Sequence, residues 1–165
     1  MNIKKPVTIL GVDPGFALVG WGVVEGIHDK LVAKGYGCIK TDKNLPLEKR
    51  LVIIYKELQK IIRKFKPDVV SVEELFFFKN VTTALAVSQA RGVILLAAEQ
   101  LKVPVHEFTP LQVKQTICGY GRAEKAQMQK MIKIILKLET VPKPDDTADA
   151  LAIAVCSAVS KNNYL

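Results

Sequence analysis

The stretch VTILGVDPG, residues 7–15, decides the fold of this chain. Six uncharged residues, several of them β-branched, precede Asp13, and Pro14-Gly15 after it stops an extended segment, so a buried strand is predicted to end at Asp13. Asp-Pro-Gly is also a common turn sequence, which is the simpler explanation of this aspartate. In a central strand, however, the Asp13 carboxylate is partly desolvated, and burying that charge without a partner costs several kcal/mol.

Outward from this strand, extended and helical patterns alternate along the chain. Further strands are predicted at residues 19–25, 31–40, 68–74 and 103–109. Helices are predicted at residues 47–65, 82–101, 111–117, 123–138 and 147–160, with Asn80 as a candidate N-cap of the second. This order predicts an α/β fold, a mixed five-stranded sheet flanked by helices. The chain length of 165 residues fits a single domain over residues 1–165.

The composition favours a polyanionic partner and excludes several kinds of site. The formal net charge is +8, and neutralising phosphates with such an excess of cations releases counterions. Cys38, Cys118 and Cys156 are widely spaced and the chain has only 2 histidines, which argues against a disulfide framework, a thiolate zinc site and a Ser-His-Asp triad. No apolar stretch approaches the ~20 residues of a membrane span, and no signal peptide is recognised, so a cytoplasmic location without membrane contact is expected.

Further carboxylates occur at positions that are predicted to be partly buried, where an unpaired charge is destabilising. Glu73 is near the end of another uncharged strand, and no lysine or arginine adjoins it or Asp13 in sequence. Asp146 and Asp149 are spaced to lie on one face of the last helix, which is otherwise apolar. If that helix packs over the strand ends, four hard oxygen ligands meet, as suits Mg²⁺ or Mn²⁺. Two ions ~3.5–4 Å apart, one activating water and one stabilising the leaving oxygen, are what two-metal phosphodiester cleavage requires.

Each acid also has a purely structural explanation. Glu73 and Glu74 could form a solvated strand end. Asp145, Asp146 and Asp149 could cap the free N–H groups of the last helix and favour its dipole.

Six longer sequence segments, some of which contain these acids, occur in order along the chain. They are GVDPG (11–15), GWGVV (20–24), VEELFFFKN (72–80), QARGV (89–93), QVKQTICGYGRAEKAQ (112–127) and DDTADALAIA (145–154). In this order they resemble the motifs of the RuvC-type Holliday-junction resolvases, and the resemblance covers nearly the whole chain from about residue 7.

The resemblance implies a ribonuclease-H-like fold and a Mg²⁺-dependent crossover junction endodeoxyribonuclease of DNA recombination and repair. Members act as homodimers that make paired symmetric nicks in a four-way DNA junction, with a branch-migration helicase complex as a partner. Four carboxylates are implied to be catalytic residues and ligands of two Mg²⁺ ions per subunit, with Mn²⁺ as a substitute: Asp13, Glu73, Asp146 and Asp149. Some relatives carry a histidine where this chain has Asp146, and Glu74 and Asp145 are implied to be neighbours of the site, not ligands.

The same resemblance implies residues that contact DNA. Phe76 is placed against bases at the junction centre, with Lys79 beside it, and Lys114 and Lys125 are placed near the cleaved phosphate as catalytic lysines. An aromatic ring stacks on unpaired bases, and a lysine offsets charge in the transition state. The same residues could instead be phenylalanines packed into the core and lysines on a solvated helix face.

Two further inferences concern assembly and function class. The helix predicted at 82–101 is apolar almost all round, so it is buried or shared with a second subunit. Asp13-Pro-Gly followed by Gly20 and Gly22 also resembles the first phosphate loop of actin-like ATPases, but the chain holds no second copy of that loop. Two more function classes stay open: a catalytically inert junction-binding module, and a ribonuclease-H-like nuclease of a different substrate such as RNA–DNA hybrid.

Overall fold

Five strands and five helices form the part of the chain that the computed structural model describes, residues 5–27, 30–74 and 81–162. The strands are β1 (Val7–Asp13), β2 (Leu18–Ile27), β3 (Lys30–Lys40), β4 (Val69–Glu73) and β5 (Val105–Phe108). The helices are α1 (Leu47–Phe65), α2 (Val81–Gln100), α3 (Pro110–Cys118), α4 (Lys125–Ile135) and α5 (Asp145–Asn162). None of the helices in these three ranges is both long and apolar enough to cross a membrane.

The strands form one sheet in the order β3-β2-β1-β4-β5. β2 is antiparallel to both β1 and β3, whereas β1, β4 and β5 are mutually parallel. The predicted mixed five-stranded sheet is therefore confirmed. β1 can occupy the centre because its uncharged residues tolerate burial on both faces, as a strand with helices above and below it must.

Alternate residues of β1 pack against opposite layers of helices. Ile9 belongs to the core cluster built with α3, α4 and α5, while Leu10 and Val12 belong to the cluster built with α1 and α2. Residues 150–158 of α5 are all buried, because this helix lies between the sheet on one side and α3 and α4 on the other. The alternation places Asp13 on the α5 face of the sheet, as it does Ile9.

Most predicted bounds hold to within one or two residues, and two differences have a physical cause. α4 is shorter than the predicted 123–138, because Glu124 is extended (φ −75°, ψ 155°) and Lys137 has a positive φ of 52°. α5 begins at Asp145 and not at the predicted 147, so Asp145 and Asp146 lie in its first turn. The candidate N-cap Asn80 lies outside the described residues.

Burial of α5 generates a test of this packing. Leu151 is fully buried against the sheet, so Leu151→Ala should lower the free energy of unfolding by about 2–5 kcal/mol. Ile134 on α4 is 67% exposed, and Ile134→Ala should stay within about 0.5 kcal/mol of the parent chain. Urea titrations at one protein concentration measure both. Equal losses in the two variants would contradict the central position of α5.

Candidate active site

The carboxyl ends of β1 and β4 bring the first two acids together. The two strands are parallel neighbours, and Val12 pairs with Val72 in their register. Asp13 and Glu73 directly follow these two valines. They therefore lie side by side at the carboxyl ends of β1 and β4. The sequence separation of these two acids is long, and only the parallel pairing makes them neighbours.

The first turns of α5 bring Asp146 and Asp149 to the same end of these two strands. Asp13 pairs with Gly20 of β2, and the backbone of Asp146 lies directly over Gly20. The pKa of Asp13 is raised well above its ordinary value, first by burial and then by the negative charges of Glu73, Asp149 and Asp146. All four acids that the sequence predicts to converge therefore share one electrostatic site.

Glu73 and Asp149 also lie in an environment that disfavours their ionised forms. Burial, followed by the charge of Asp149, raises the pKa of Glu73 to about 7, although Lys114 and Lys125 oppose the shift. Burial likewise raises the pKa of Asp149, against the opposing effect of Lys125. Carboxyl groups whose ionisation is disfavoured in this way by burial and by neighbouring acids are typical of functional sites.

Lys125 supplies positive charge beside these acids. Its Nζ lies 3.2 Å from a carboxylate oxygen of Asp149 and 3.6 Å from one of Asp145. Asp149 therefore has an offsetting cation in the folded chain, although none adjoins it in sequence. Sequence reasoning missed the pair because Lys125 starts α4 and Asp149 belongs to α5, and no local pattern links the two.

A cavity of about 210 Å³ opens beside the acids. Its walls come from β4, α3, α4 and α5, and they carry both predicted lysines: the lining residues are Glu73, Pro110, Val113, Lys114, Lys125, Met128, Asp149 and Ala152. The cavity thus joins two of the acids to Lys114 and Lys125, as the sequence predicts for residues that act on one phosphate.

The donor set fits a hard divalent cation by its chemistry. Four carboxylates supply oxygen ligands. Burial and then repulsion between neighbouring acids raise the pKa values of Asp13, Glu73 and Asp149, and a cation between these groups would relieve both effects. Within the described residues, no three His, Cys, Asp or Glu side chains are arranged closely enough to hold an ion as they stand. Binding therefore requires these side chains to rotate toward one another.

Four further residues named by the resemblance are two neighbours of the acids, Asp145 and Glu74, and two residues of the phenylalanine segment, Phe76 and Lys79. Asp145 is turned toward Lys143, whose Nζ is 3.1 Å from its carboxylate, and this pair lowers the pKa of Asp145. The backbone N–H of Glu74 donates to the carbonyl of Phe108, at 2.8 Å. Phe76 and Lys79 lie outside the described residues, as do the other two phenylalanines of their run.

Arg50 is a buried residue near the site that sequence reasoning missed. Its side chain donates to Thr41 Oγ1 at 2.9 Å and to the carbonyl of Phe16 at 3.2 Å, and its guanidinium lies 3.5 Å from the centre of the Phe16 ring. These contacts hold the turn that follows Asp13. A signal was present, because Arg50 falls at helical spacing on the same face as Ile54 and Leu58, where an arginine is unexpected.

This sheet order, with acids at the ends of two central parallel strands and two more on a covering helix, defines a nuclease of the ribonuclease-H-like class. The family model described as crossover junction endodeoxyribonuclease RuvC matches residues 9–157. The chain therefore belongs to the RuvC family of crossover junction endodeoxyribonucleases, which are metal-dependent enzymes.

Individual relatives agree with this assignment. The crossover junction endodeoxyribonuclease RuvC of Desulfitobacterium hafniense (strain DSM 10664 / DCB-2) is 53% identical over 154 residues, 93% of each chain. A solved structure of Thermus thermophilus RuvC matches with a TM-score of 0.87 at 35% identity, covering 95% of this chain and 97% of that one. The T. thermophilus protein in complex with a Holliday junction substrate matches with a TM-score of 0.89 at 34% identity, over 95% and 96% of the two chains.

The raised pKa of Glu73 generates a prediction for stability in the absence of metal. Its pKa is 4.5 ordinarily and about 7 in the folded chain, so the folded state binds this proton more tightly than the unfolded state does. The resulting stabilisation is complete below about pH 4.5 and is lost as the pH rises through about 7. The loss is at most about 3.5 kcal/mol, since one pKa unit corresponds to about 1.4 kcal/mol.

Urea unfolding with chelator at pH 5 and pH 8 measures this loss. Glu73→Gln should shrink the difference between the two pH values, whereas Glu57→Gln, on the exposed face of α1, should leave it unchanged. Mg²⁺ should raise the melting temperature more at pH 8 than at pH 5, because only the ionised cluster binds it. Identical pH dependence in Glu73→Gln and the parent chain would contradict the buried site.

Proposed function

We propose that this chain resolves four-way DNA junctions by paired symmetric nicks in homologous recombination and repair. The observation that carries the proposal is the convergence of Asp13, Glu73, Asp146 and Asp149 beside a cavity that also contains Lys114 and Lys125. The substrate is inferred from the family and from the T. thermophilus RuvC complex with a Holliday junction substrate. Family membership favours junction cleavage over the inert binding module and over a nuclease of RNA–DNA hybrid.

The metal is proposed to be Mg²⁺, with Mn²⁺ as a substitute and two ions per subunit. Asp13 and Glu73 would hold it from the sheet, and Asp146 and Asp149 from α5. When bound, a divalent metal supplies a Lewis acid for the phosphoryl oxygens and lowers the pKa of water to make a nucleophile. The chain contributes a site in which two ligands belong to rigid strands, so that binding would reorient the carboxylate side chains and leave the strand backbone in place.

Lys114 and Lys125 are proposed to receive the scissile phosphate. Both line the cavity next to Glu73, and a phosphate that enters it meets two ammonium groups. Lys125 is 56% exposed, so its long side chain can leave Asp149 and turn to the phosphate. Their positive charge would then offset the charge that develops during in-line displacement, which leaves 5′-phosphate and 3′-hydroxyl ends.

The remaining DNA contacts stay predictions. Phe76 as the residue that meets bases, and Lys79 beside it, follow Glu73 in a segment outside the described residues. The formal charge of +8 supports a general affinity for phosphates. The single domain over residues 1–165, the branch-migration helicase partner and the cytoplasmic location likewise remain proposals.

A homodimer through α2 is the proposed assembly. The sequence predicts that α2 is apolar almost all round, and two of its leucines are open to solvent on one side: Leu85 is 63% exposed and Leu96 is 51% exposed. Gly92 lies between them, and a Cβ built there would meet nothing within 4 Å. An apolar stripe with a glycine at its middle lets a second helix approach closely.

Loss of a carboxylate generates the first functional test. Asp13→Asn and Glu73→Gln should each lower the rate of junction cleavage by at least about 1000-fold, because each removes a ligand without changing the shape of the site. Binding of the junction should persist, since the basic surface is unchanged. A labelled synthetic four-way junction with Mg²⁺ measures cleavage, and gel shift in the presence of chelator measures binding.

The matched control for this test is Glu57→Gln, which makes the same chemical change on an exposed face of α1. It should cleave as the parent chain does. Linear duplex and RNA–DNA hybrid should remain uncut. Full activity in Asp13→Asn would refute its role as a ligand, and cutting of the hybrid in place of the junction would refute the proposed substrate.

The dimer proposal has its own test. Leu96→Glu places a charge in the exposed α2 stripe and should shift the protein to monomers in sedimentation equilibrium. Ile134→Glu, at a similarly exposed aliphatic position on α4, should leave the association state unchanged. A monomeric variant should make single nicks in place of paired ones. Unaltered association in Leu96→Glu would exclude α2 as the interface.

A further inference from the structure

One row of paired residues crosses the sheet directly beneath the start of α5. Asp13 of β1 pairs with Gly20 of β2, and Gly20 pairs with Cys38 of β3. The first residue of this row is a proposed metal ligand. The other two have no role in the mechanism described above, yet both contact the turn of α5 that carries the remaining acids.

Gly20 contacts α5 through backbone alone. A Cβ built on Gly20 would lie 1.9 Å from the carbonyl oxygen of Asp146 and 2.5 Å from its carbonyl carbon. These atoms belong to a buried helix and cannot rotate away as the end of a long side chain can. Glycine is therefore required at position 20 for close approach and not for an unusual backbone conformation.

Cys38 contacts the next residue of the same turn. Its Sγ lies 3.3 Å from Oγ1 of Thr147, and Thr147 is fully buried. Thr147 directly follows Asp146 in the chain, so this contact fixes the rotation of the turn about the helix axis. Burial raises the pKa of the Cys38 thiol, and the negative charges of Asp146 and Asp13 raise it further.

The two contacts act on different aspects of how α5 is placed on the sheet. Gly20 sets the height of α5 above the sheet, and Cys38 sets its rotation. Both quantities determine where the Asp146 and Asp149 carboxylates stand relative to Asp13 and Glu73. A displacement of about 1 Å in such a constellation can cost roughly 100-fold in rate, because ligands and reacting groups must meet at fixed distances.

We infer that Gly20 and Cys38 are positioning residues, which seat the first turn of α5 so that Asp146 and Asp149 share a metal site with Asp13 and Glu73. The inference rests on the proposed function, since it takes these four acids as the ligands. Neither residue touches the substrate or the metal in this proposal.

Gly20→Ala compared with Gly26→Ala tests the inference. Gly26 is in the same strand, but a Cβ there would be 3.0 Å from the end of the Leu31 side chain and 4.0 Å from Ala158, at the far end of α5. Three quantities are measured for both variants and the parent chain: Mn²⁺ affinity by titration calorimetry without DNA, junction affinity with chelator, and junction cleavage.

Gly20→Ala should weaken Mn²⁺ binding by about 10-fold to 100-fold, as changes behind metal ligands do. Cleavage should fall about 100-fold, and the half-saturating Mg²⁺ concentration should rise. Junction affinity should stay within about twofold of the parent value, since the basic surface is unchanged. Gly26→Ala should stay within about twofold of the parent chain in all three measurements.

Equal Mn²⁺ binding in Gly20→Ala and the parent chain would overturn the inference, and so would equal losses in the two glycine variants. A parent chain that binds Mn²⁺ through Asp13 but does not cut four-way junctions would refute the proposed function alone. The glycine comparison would then still decide the positioning role. A parent chain whose Mn²⁺ binding is absent, or unaffected by Asp13→Asn, would refute both.

Cys38 variants keep the inference testable if Gly20→Ala does not fold, because they add no atoms to the core. Cys38→Ala removes the contact with Thr147 and should weaken Mn²⁺ binding by roughly 10-fold. Cys38→Ser keeps a hydrogen-bonding group and should restore affinity to within about twofold of the parent chain. Equal affinities in the alanine and serine variants would show that Cys38 only fills space, and would overturn its part of the inference.

Discussion

α5 lies in backbone contact with the central strands of the sheet, and both the core and the candidate site depend on that contact. A Cβ on Gly11 would lie 2.1 Å from the carbonyl oxygen of Ala150, and one on Gly20 would lie 1.9 Å from that of Asp146. A helix held off by ordinary side chains would sit higher above the sheet. The glycines allow α5 to bury nearly all its residues while its first turn reaches the strand ends.

The same geometry gathers the negative charges of four partly buried acids at one end of the sheet. Burial raises the pKa of Asp13 and that of Glu73, and neighbouring acids add repulsion to the effect of burial at both. A sheet optimised for stability alone would not end two neighbouring central strands in acids. The fold therefore carries an electrostatic cost that a divalent cation relieves, which couples stability to metal binding in the proposed enzyme.

Positive charge near the site is arranged asymmetrically. Lys125 pairs with Asp149 and Asp145, which belong to the helix, while Lys114 acts on Glu73 from across the cavity. No salt bridge holds Asp13, the most buried of the four acids, within the part of the chain that the structure describes. Asp149 can thus exchange Lys125 for a cation, whereas Lys125 acts on Asp13 without a salt bridge, so a cation would be the first positive charge in direct contact with Asp13.

The sequence by itself determined the mixed five-stranded sheet and most helix bounds, and it singled out four acids as candidate metal ligands. These features could be predicted because they depend on local patterns. Examples are an uncharged run such as VTILGV that ends in a carboxylate, and the spacing of Asp146 and Asp149. Only the tertiary structure decided the contacts of Lys125 with Asp149, Arg50 with Phe16 and Cys38 with Thr147. Each joins elements far apart in the chain, and such pairings follow from strand order and helix packing, which no local pattern encodes.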